Sequence, residues 1–189
     1  MSFSALTVTA LAVAACSDTN SLLSAAAFEN SSRTFSVYAL SGTSSVLPAA
    51  YQFTAELLAR PQVLSNGSVN FDVAFDLTAD NKVKLLPVRA VVPLPPGGAP
   101  SVGMLRSSTA YSVLERAPEK GYVLDSTLVV GVGETVVLQL PGSGCVYGEP
   151  YYAKLVVDSI LVAQRRIVVG SLVNRNCGFR ALTVGIPKN

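Results

Sequence analysis

The chain has 189 residues, half of them hydrophobic and 14% charged, which is enough apolar material for one well-buried domain. The formal net charge is only +2 and no basic run is longer than Arg165-Arg166, so the composition disfavours a nucleic-acid binder. Histidine is absent, which removes the commonest general base and the commonest metal ligand.

Residues 1–15 are uncharged and apolar from residue 5 onward, and Val13 and two alanines precede Cys16. This order resembles the lipobox of a bacterial lipoprotein signal. The apolar run is shorter than the ~20 residues that a membrane-spanning helix needs. The resemblance implies a cleaved signal peptide at 1–15, a lipidated Cys16 and a place in the bacterial cell envelope, at the outer membrane if the cell is Gram-negative. The polar residues 16–32 are predicted to form a flexible tether.

Short alternating segments separated by turn residues follow the tether. The chain contains 11 prolines and 14 glycines, spread at short intervals as is typical of many short strands joined by turns. We therefore predict one all-β domain over residues 33–188, folded as an antiparallel β-sandwich or a partly open barrel. In its first half, strands are predicted at residues 33–40, 51–59, 69–77 and 82–92. The segment 51–59 also suits a helical turn, but its initial alternation favours a strand.

Turn and acidic residues mark the strand at 69–77. Before it, Asn66-Gly67 predicts a type I′ hairpin turn, because both residues tolerate positive φ. Within it and after it come four polar side chains: Asn70, Asp72, Asp76 and Asp80. Calcium takes several such oxygens, but strand residues four apart lie ~13 Å from each other. We interpret these residues as a solvated face and predict no metal site and no bound cofactor.

A proline-rich loop over residues 93–103 is the longest turn-rich segment. Leu94, Val102 and the adjacent Met104 offer apolar surface, and prolines restrict the freedom that binding would cost. This loop is our first candidate binding surface; the alternative is a plain surface connector.

One short helix is predicted near residues 107–117. Ala110, Val113, Leu114 and Ala117 recur at helical spacing after capping serines, and a proline follows.

Three consecutive strands are predicted between Gly133 and Leu182, with a reversal near Ala163-Gln164. Alternation places one set of residues on the core face: Tyr151, Ala153, Leu155, Val157 and Leu161. This meander brings Cys145 and Cys177 to the same end of the sheet, so we predict a disulfide. A zinc site would lack further ligands.

Tyr147 and Tyr151, beside this corner, form a second candidate binding surface. Loops on a rigid β scaffold are where binding residues usually lie.

Catalytic motifs are missing from the sequence. It contains no G-x-S-x-G or S-x-x-K motif, so we predict no catalytic residues. Lys154 lies among hydrophobic residues, where a desolvated lysine can act as a base, but a lysine on the solvent face of a strand is far more common. An envelope hydrolase with a serine or carboxylate site is the alternative.

The closing strands resemble those of HmuY-like bacterial lipoproteins, through Tyr152-Ala153-Lys154 at the start of a strand and the hairpin after it. These are β-rich envelope proteins, and their haem-binding members use histidine or methionine. The resemblance implies a further alternative, a haem or small-ligand binding protein, for which this chain offers Met104. The main prediction is a non-catalytic binding or structural domain, attached to the membrane through its lipid, with an envelope protein or a small apolar ligand as partner.

Overall fold

The computed structural model describes residues 25–92 and 100–187, which form two antiparallel β-sheets packed face to face. The sheets do not close into a barrel, so the all-β prediction is confirmed in its sandwich form. The signal segment, Cys16 and Leu94 lie outside the described residues. Within the described ranges, no helix is long and apolar enough to cross a membrane.

Eleven strands and one short α-helix make up the described fold, with a 3-10 helix at Val162–Gln164 between the last two strands. In chain order they are β1 (Ser31–Tyr38), β2 (Ala50–Gln52), β3 (Leu57–Ala59), β4 (Val73–Leu77), β5 (Val83–Pro87), α1 (Val88–Val91), β6 (Gly103–Ser107), β7 (Val123–Leu124), β8 (Leu128–Val130), β9 (Thr135–Leu140), β10 (Tyr151–Leu161) and β11 (Arg166–Asn174). The larger sheet has the order β1-β11-β10-β9-β6-β7, and the smaller has β3-β2-β4-β5-β8. The predicted meander is confirmed as β9, β10 and β11.

The main core lies between the two sheets. Alternating residues of facing strands point inward, and the large buried side chains include Phe53, Phe75, Leu85, Leu138, Leu155 and Ile167. Burying each such side chain stabilises the folded state by about 1.5–3 kcal/mol. Phe35 of the larger sheet also stacks on Tyr51 of the smaller one, with ring centroids 3.8 Å apart.

A β-bulge in β10 changes which residues face this core. Val157 pairs with Val169, but the next paired residue is Ser159, so Asp158 is the extra residue. The bulge reverses the alternation that follows it. Ile160 therefore packs against the core, and the prediction that Leu161 continues the inward series is wrong.

The predicted helix near 107–117 is also wrong. Residues after Ser107 form turns, in which the Leu114 N–H donates to the Ala110 carbonyl, and the segment then lies flat on the outer face of the larger sheet. Its backbone forms hydrogen bonds to residues 180–182 of the same chain, where the Ala117 N–H donates to the Arg180 carbonyl at 2.7 Å. Leu114 and Ala117 are buried because they pack on that sheet, not because a helix buries one of its faces.

Two N-terminal predictions are also corrected. The segment predicted as one strand at 51–59 is the hairpin β2–β3, whose turn is closed by a Glu56 with φ of 54°. At the next turn the Gly67 N–H donates to the Leu64 carbonyl. Gly67 has positive φ there but Asn66 does not, so the turn is not type I′.

Candidate ligand-binding cleft

The two cysteines meet at one end of the sandwich. Cys145 lies in the loop between β9 and β10, and Cys177 follows β11; their sulfur atoms are 2.15 Å apart and their Cα atoms 5.6 Å apart. The antiparallel meander causes this, because it returns the end of β11 to the start of β10. The predicted pairing of Cys145 with Cys177 is confirmed.

The loop that carries Cys145 is held in shape by contacts across its base. A Cβ at Gly142 would lie 1.7 Å from the Glu149 carbonyl oxygen, so only glycine allows the two ends of the loop to approach. The Tyr151 hydroxyl donates to the Ser143 carbonyl at 3.0 Å, and the Tyr147 N–H donates to the Glu149 carboxylate at 3.2 Å. The loop therefore presents a defined surface.

A cleft of about 570 Å³ opens beside this loop, within the size range of small-molecule sites. Three segments wall it: the N-terminal residues before β1, the disulfide loop and the residues after β11. The larger side chains that line it are those of Phe28, Val146, Tyr147, Glu149, Tyr151 and Arg175. Val146 is 85% exposed, Tyr147 78% and Phe28 56%, so apolar surface is available at the cleft.

Asn176 fixes the N-terminal wall of the cleft. Its side-chain oxygen accepts from the Ala27 and Phe28 N–H groups at 2.8 and 3.0 Å, and its amide nitrogen donates to the Phe28 carbonyl at 2.8 Å. The buried Asn174 side chain completes the network by accepting from Asn176. Residues 25–32 are therefore ordered by distant amides, and the tether predicted over 16–32 extends too far toward the domain.

Arg175 supplies a positive charge at the same wall. Its guanidinium carbon lies 5.8 Å from the centre of the Phe28 ring, a cation–π distance. Within residues 25–92 and 100–187 it forms no ion pair. The nearby Glu149 carboxylate instead accepts from the Tyr147 backbone. An apolar surface beside an arginine suits a ligand with an apolar body and an anionic group.

The cleft continues along the end of the sandwich. A neighbouring concavity of about 310 Å³ shares Phe28, Tyr151 and Arg175 with it. A third, of about 220 Å³, shares Thr54 of the β2–β3 turn and Ser143 with the second and reaches Asp72. The three together form a run of concave surface from the disulfide to the β2–β3 hairpin.

Asp72 is buried at the far limit of this run, so its assignment to a solvated face is wrong. It is 5% exposed, and its carboxylate accepts from the Phe53 N–H at 2.7 Å. Burial raises the pKa of Asp72 to about 6, against the opposing effect of its backbone hydrogen bonds. Among the described residues, no group of three or more His, Cys, Asp or Glu side chains is arranged to hold a metal.

Lys154 is also buried, contrary to the solvent-face interpretation. It lies on the outer face of the larger sheet, beneath the segment 108–117, and its ammonium donates to the Tyr111 and Leu114 carbonyls, both at 2.8 Å. The Tyr111 ring centre is 4.6 Å away. Burial lowers the pKa of Lys154. This lysine attaches the covering segment to the sheet.

The structure separates the two candidate binding surfaces. Tyr147 and Tyr151 both line the cleft. Val102 and Met104 are buried in the core, so the prediction that they form a docking surface is wrong. The sequence features that mark the cleft are the glycines around Cys145 and the asparagines flanking Arg175. Glycine and asparagine are common in turns, so in the sequence these residues indicate turns and not a cleft.

A scan against protein-family models, a search of curated proteins and a search of solved structures each returned no match for this chain. The resemblances to lipoprotein signals and to HmuY-like proteins therefore stay predictions. Met104, the methionine considered for haem, lies in the core at 2% exposure.

Proposed function

We propose that this chain is a lipid-anchored protein of the bacterial cell envelope, whose β-sandwich binds a partner with apolar and anionic parts through the disulfide-end cleft. The observation that carries the proposal is the combination of exposed Phe28, Val146 and Tyr147 with Arg175 in one cleft. The anchor is the lipidated Cys16 that the lipobox predicts.

Rigid walls favour binding at this cleft. The disulfide holds one wall and the Asn176 side chain holds another, so little freedom is lost when a partner docks. Exposed apolar side chains grouped in one concavity are typical of interaction sites.

The charged groups of the cleft suit recognition better than catalysis. Glu149 interacts with its own loop, and Lys154, the base considered from sequence, bonds to two carbonyls on another face of the sheet. A hydrolase would place a nucleophile beside a base, or two carboxylates across a substrate. No observation on the described residues favours that alternative.

Titration with the fluorescent anionic amphiphile 1-anilinonaphthalene-8-sulfonate tests the cleft. We expect saturable binding to the folded chain and at least a tenfold weaker affinity for Tyr147→Asp, because the variant adds a negative charge and removes an apolar wall. Val162→Asp is the matched control, since Val162 is also exposed but lies in the turn at the opposite end of β10. Equal affinity in the two variants would remove the cleft from the proposal.

Metabolic labelling with a fatty-acid analogue tests the anchor. Wild type should incorporate the label and Cys16→Ala should not. Equal incorporation by both proteins would refute lipidation at Cys16.

A further inference from the structure

The chain enters the domain at the cleft itself. Ala25 and Ala27 are part of the cleft wall, and Cys16 precedes Ala25 by a short stretch of sequence. Because each residue spans at most about 3.3–3.6 Å, the chain between Cys16 and Ala25 reaches at most about 30 Å. A lipid on Cys16 therefore keeps this end of the sandwich close to the bilayer.

The side chains at this end suit a membrane interface. Val146 and Tyr147 project from the disulfide loop, and Phe28 lies across the cleft from them. Tyrosine is enriched where bilayer and water meet. Arg175 stands beside Phe28 without an acidic partner in the described part of the chain, and it is therefore able to bind a lipid phosphate.

We propose that Phe28, Val146 and Tyr147 insert into the surface of the bilayer that holds the anchor, with Arg175 at the level of anionic headgroups. The inference rests on the proposed anchoring and names the partner of the cleft, an anionic phospholipid of that bilayer. A lipid anchor combined with a second apolar and basic contact holds a protein more firmly than one acyl chain does.

The far end of the sandwich serves as an internal reference. Tyr151 and Leu161 bound β10, which at a rise of about 3.3 Å per residue is ~33 Å long. Val162 follows immediately and is 50% exposed. With the cleft end on the bilayer, Val162 lies far from the lipid tails.

The absence of tryptophan allows a direct test with the full, lipidated chain. Tyr147→Trp and Val162→Trp each introduce a single indole, and each variant is reconstituted into phosphatidylglycerol vesicles with or without brominated acyl chains. We expect bromine to reduce the emission of Tyr147→Trp at least twofold and to leave Val162→Trp unchanged. Val146→Trp, at the neighbouring exposed position, should repeat the result.

The outcomes separate docking from anchoring. If the labelled protein co-sediments with vesicles but the Tyr147→Trp and Val146→Trp indoles are not quenched, docking is overturned and anchoring stands. Equal quenching at Val162→Trp overturns the end-on orientation. If Cys16 takes no label and the chain does not co-sediment, both proposals fail.

Discussion

Replacing the buried Asp72 with asparagine should remove a pH dependence from the stability of the domain. Burial raises the pKa of Asp72 from 3.8 to about 6. Between these values the folded chain holds more protons than the unfolded chain, so the free energy of unfolding falls as pH rises through the window. At 1.36 kcal/mol per pKa unit, the fall is about 3 kcal/mol, complete above pH 6.

Asparagine at position 72 keeps the hydrogen bond to Phe53 but carries no negative charge. Its side-chain oxygen accepts from the Phe53 N–H as the carboxylate does at 2.7 Å. The Asp72→Asn variant should therefore lack this fall and be more stable than wild type at pH 7, by up to about 3 kcal/mol. Because the chain has no histidine, the usual titrating side chain of this pH range is absent.

Urea unfolding followed by circular dichroism from pH 4 to 8 measures the effect. Asp158→Asn, at the exposed bulge of β10, is the matched control and should retain the wild-type fall. The difference between the two curves isolates Asp72, because carboxyls with lowered pKa values such as Asp76 and Glu134 act equally in both proteins. An Asp72→Asn curve parallel to that of wild type between pH 4 and 7 would refute the reasoning.

Three further variants address the cleft. Gly142→Ala places a methyl group against the Glu149 carbonyl, so the loop must open; we expect a cooperative fold but at least tenfold weaker binding of anilinonaphthalene sulfonate. Replacing Cys145 and Cys177 together with serine should lower the free energy of unfolding by about 3–4 kcal/mol, because the unfolded chain loses a long closed loop; reductant should have no effect on this variant. Asn176→Ala should lower the free energy of unfolding by about 1–3 kcal/mol and increase hydrogen exchange at the Ala27 and Phe28 amides, which donate to the Asn176 side chain.

Each of these variants has a contrasting result. Gly131→Ala, at a glycine that like Gly142 has no left-handed φ and whose Cβ would meet only the Glu134 carboxylate at 3.8 Å, separates the general effect of losing a glycine from the loop clash; equal loss of binding in both would contradict the steric argument. For the cysteines, free alkylation of both thiols in native protein would end the disulfide interpretation. For Asn176, unchanged exchange at the N-terminal wall would show that the amide does not hold it.

Local alternation was sufficient to predict the meander and its disulfide. In β9, β10 and β11, apolar residues recur with the two-residue period of a strand facing a core, and the connections are too short for a parallel crossover, so the strands are antiparallel. The pairing of Cys145 with Cys177 follows from that order alone. The same reasoning placed Tyr147 and Tyr151 beside the disulfide corner.

Lys154 and Asp72 show what alternation could not predict. Each has the parity of an outward residue, and in a sheet with one wet face that parity means exposure. Here irregular segments cover the outer face of the larger sheet over Lys154, and the β2–β3 hairpin places its Phe53 amide on Asp72. Periodicity within a strand carries no information about a second layer formed by chain far away in sequence.

The sequence by itself determined the fold class, the strand meander and the disulfide, because each depends on the order of residues along neighbouring segments. The cleft was decided by tertiary structure alone. Its walls come from residues before β1, between β9 and β10 and after β11, and Asn176 reaches Ala27 across 149 positions of sequence. Such contacts depend on where whole strands lie in space, since hydrogen bonds between distant loops have no local period to reveal them.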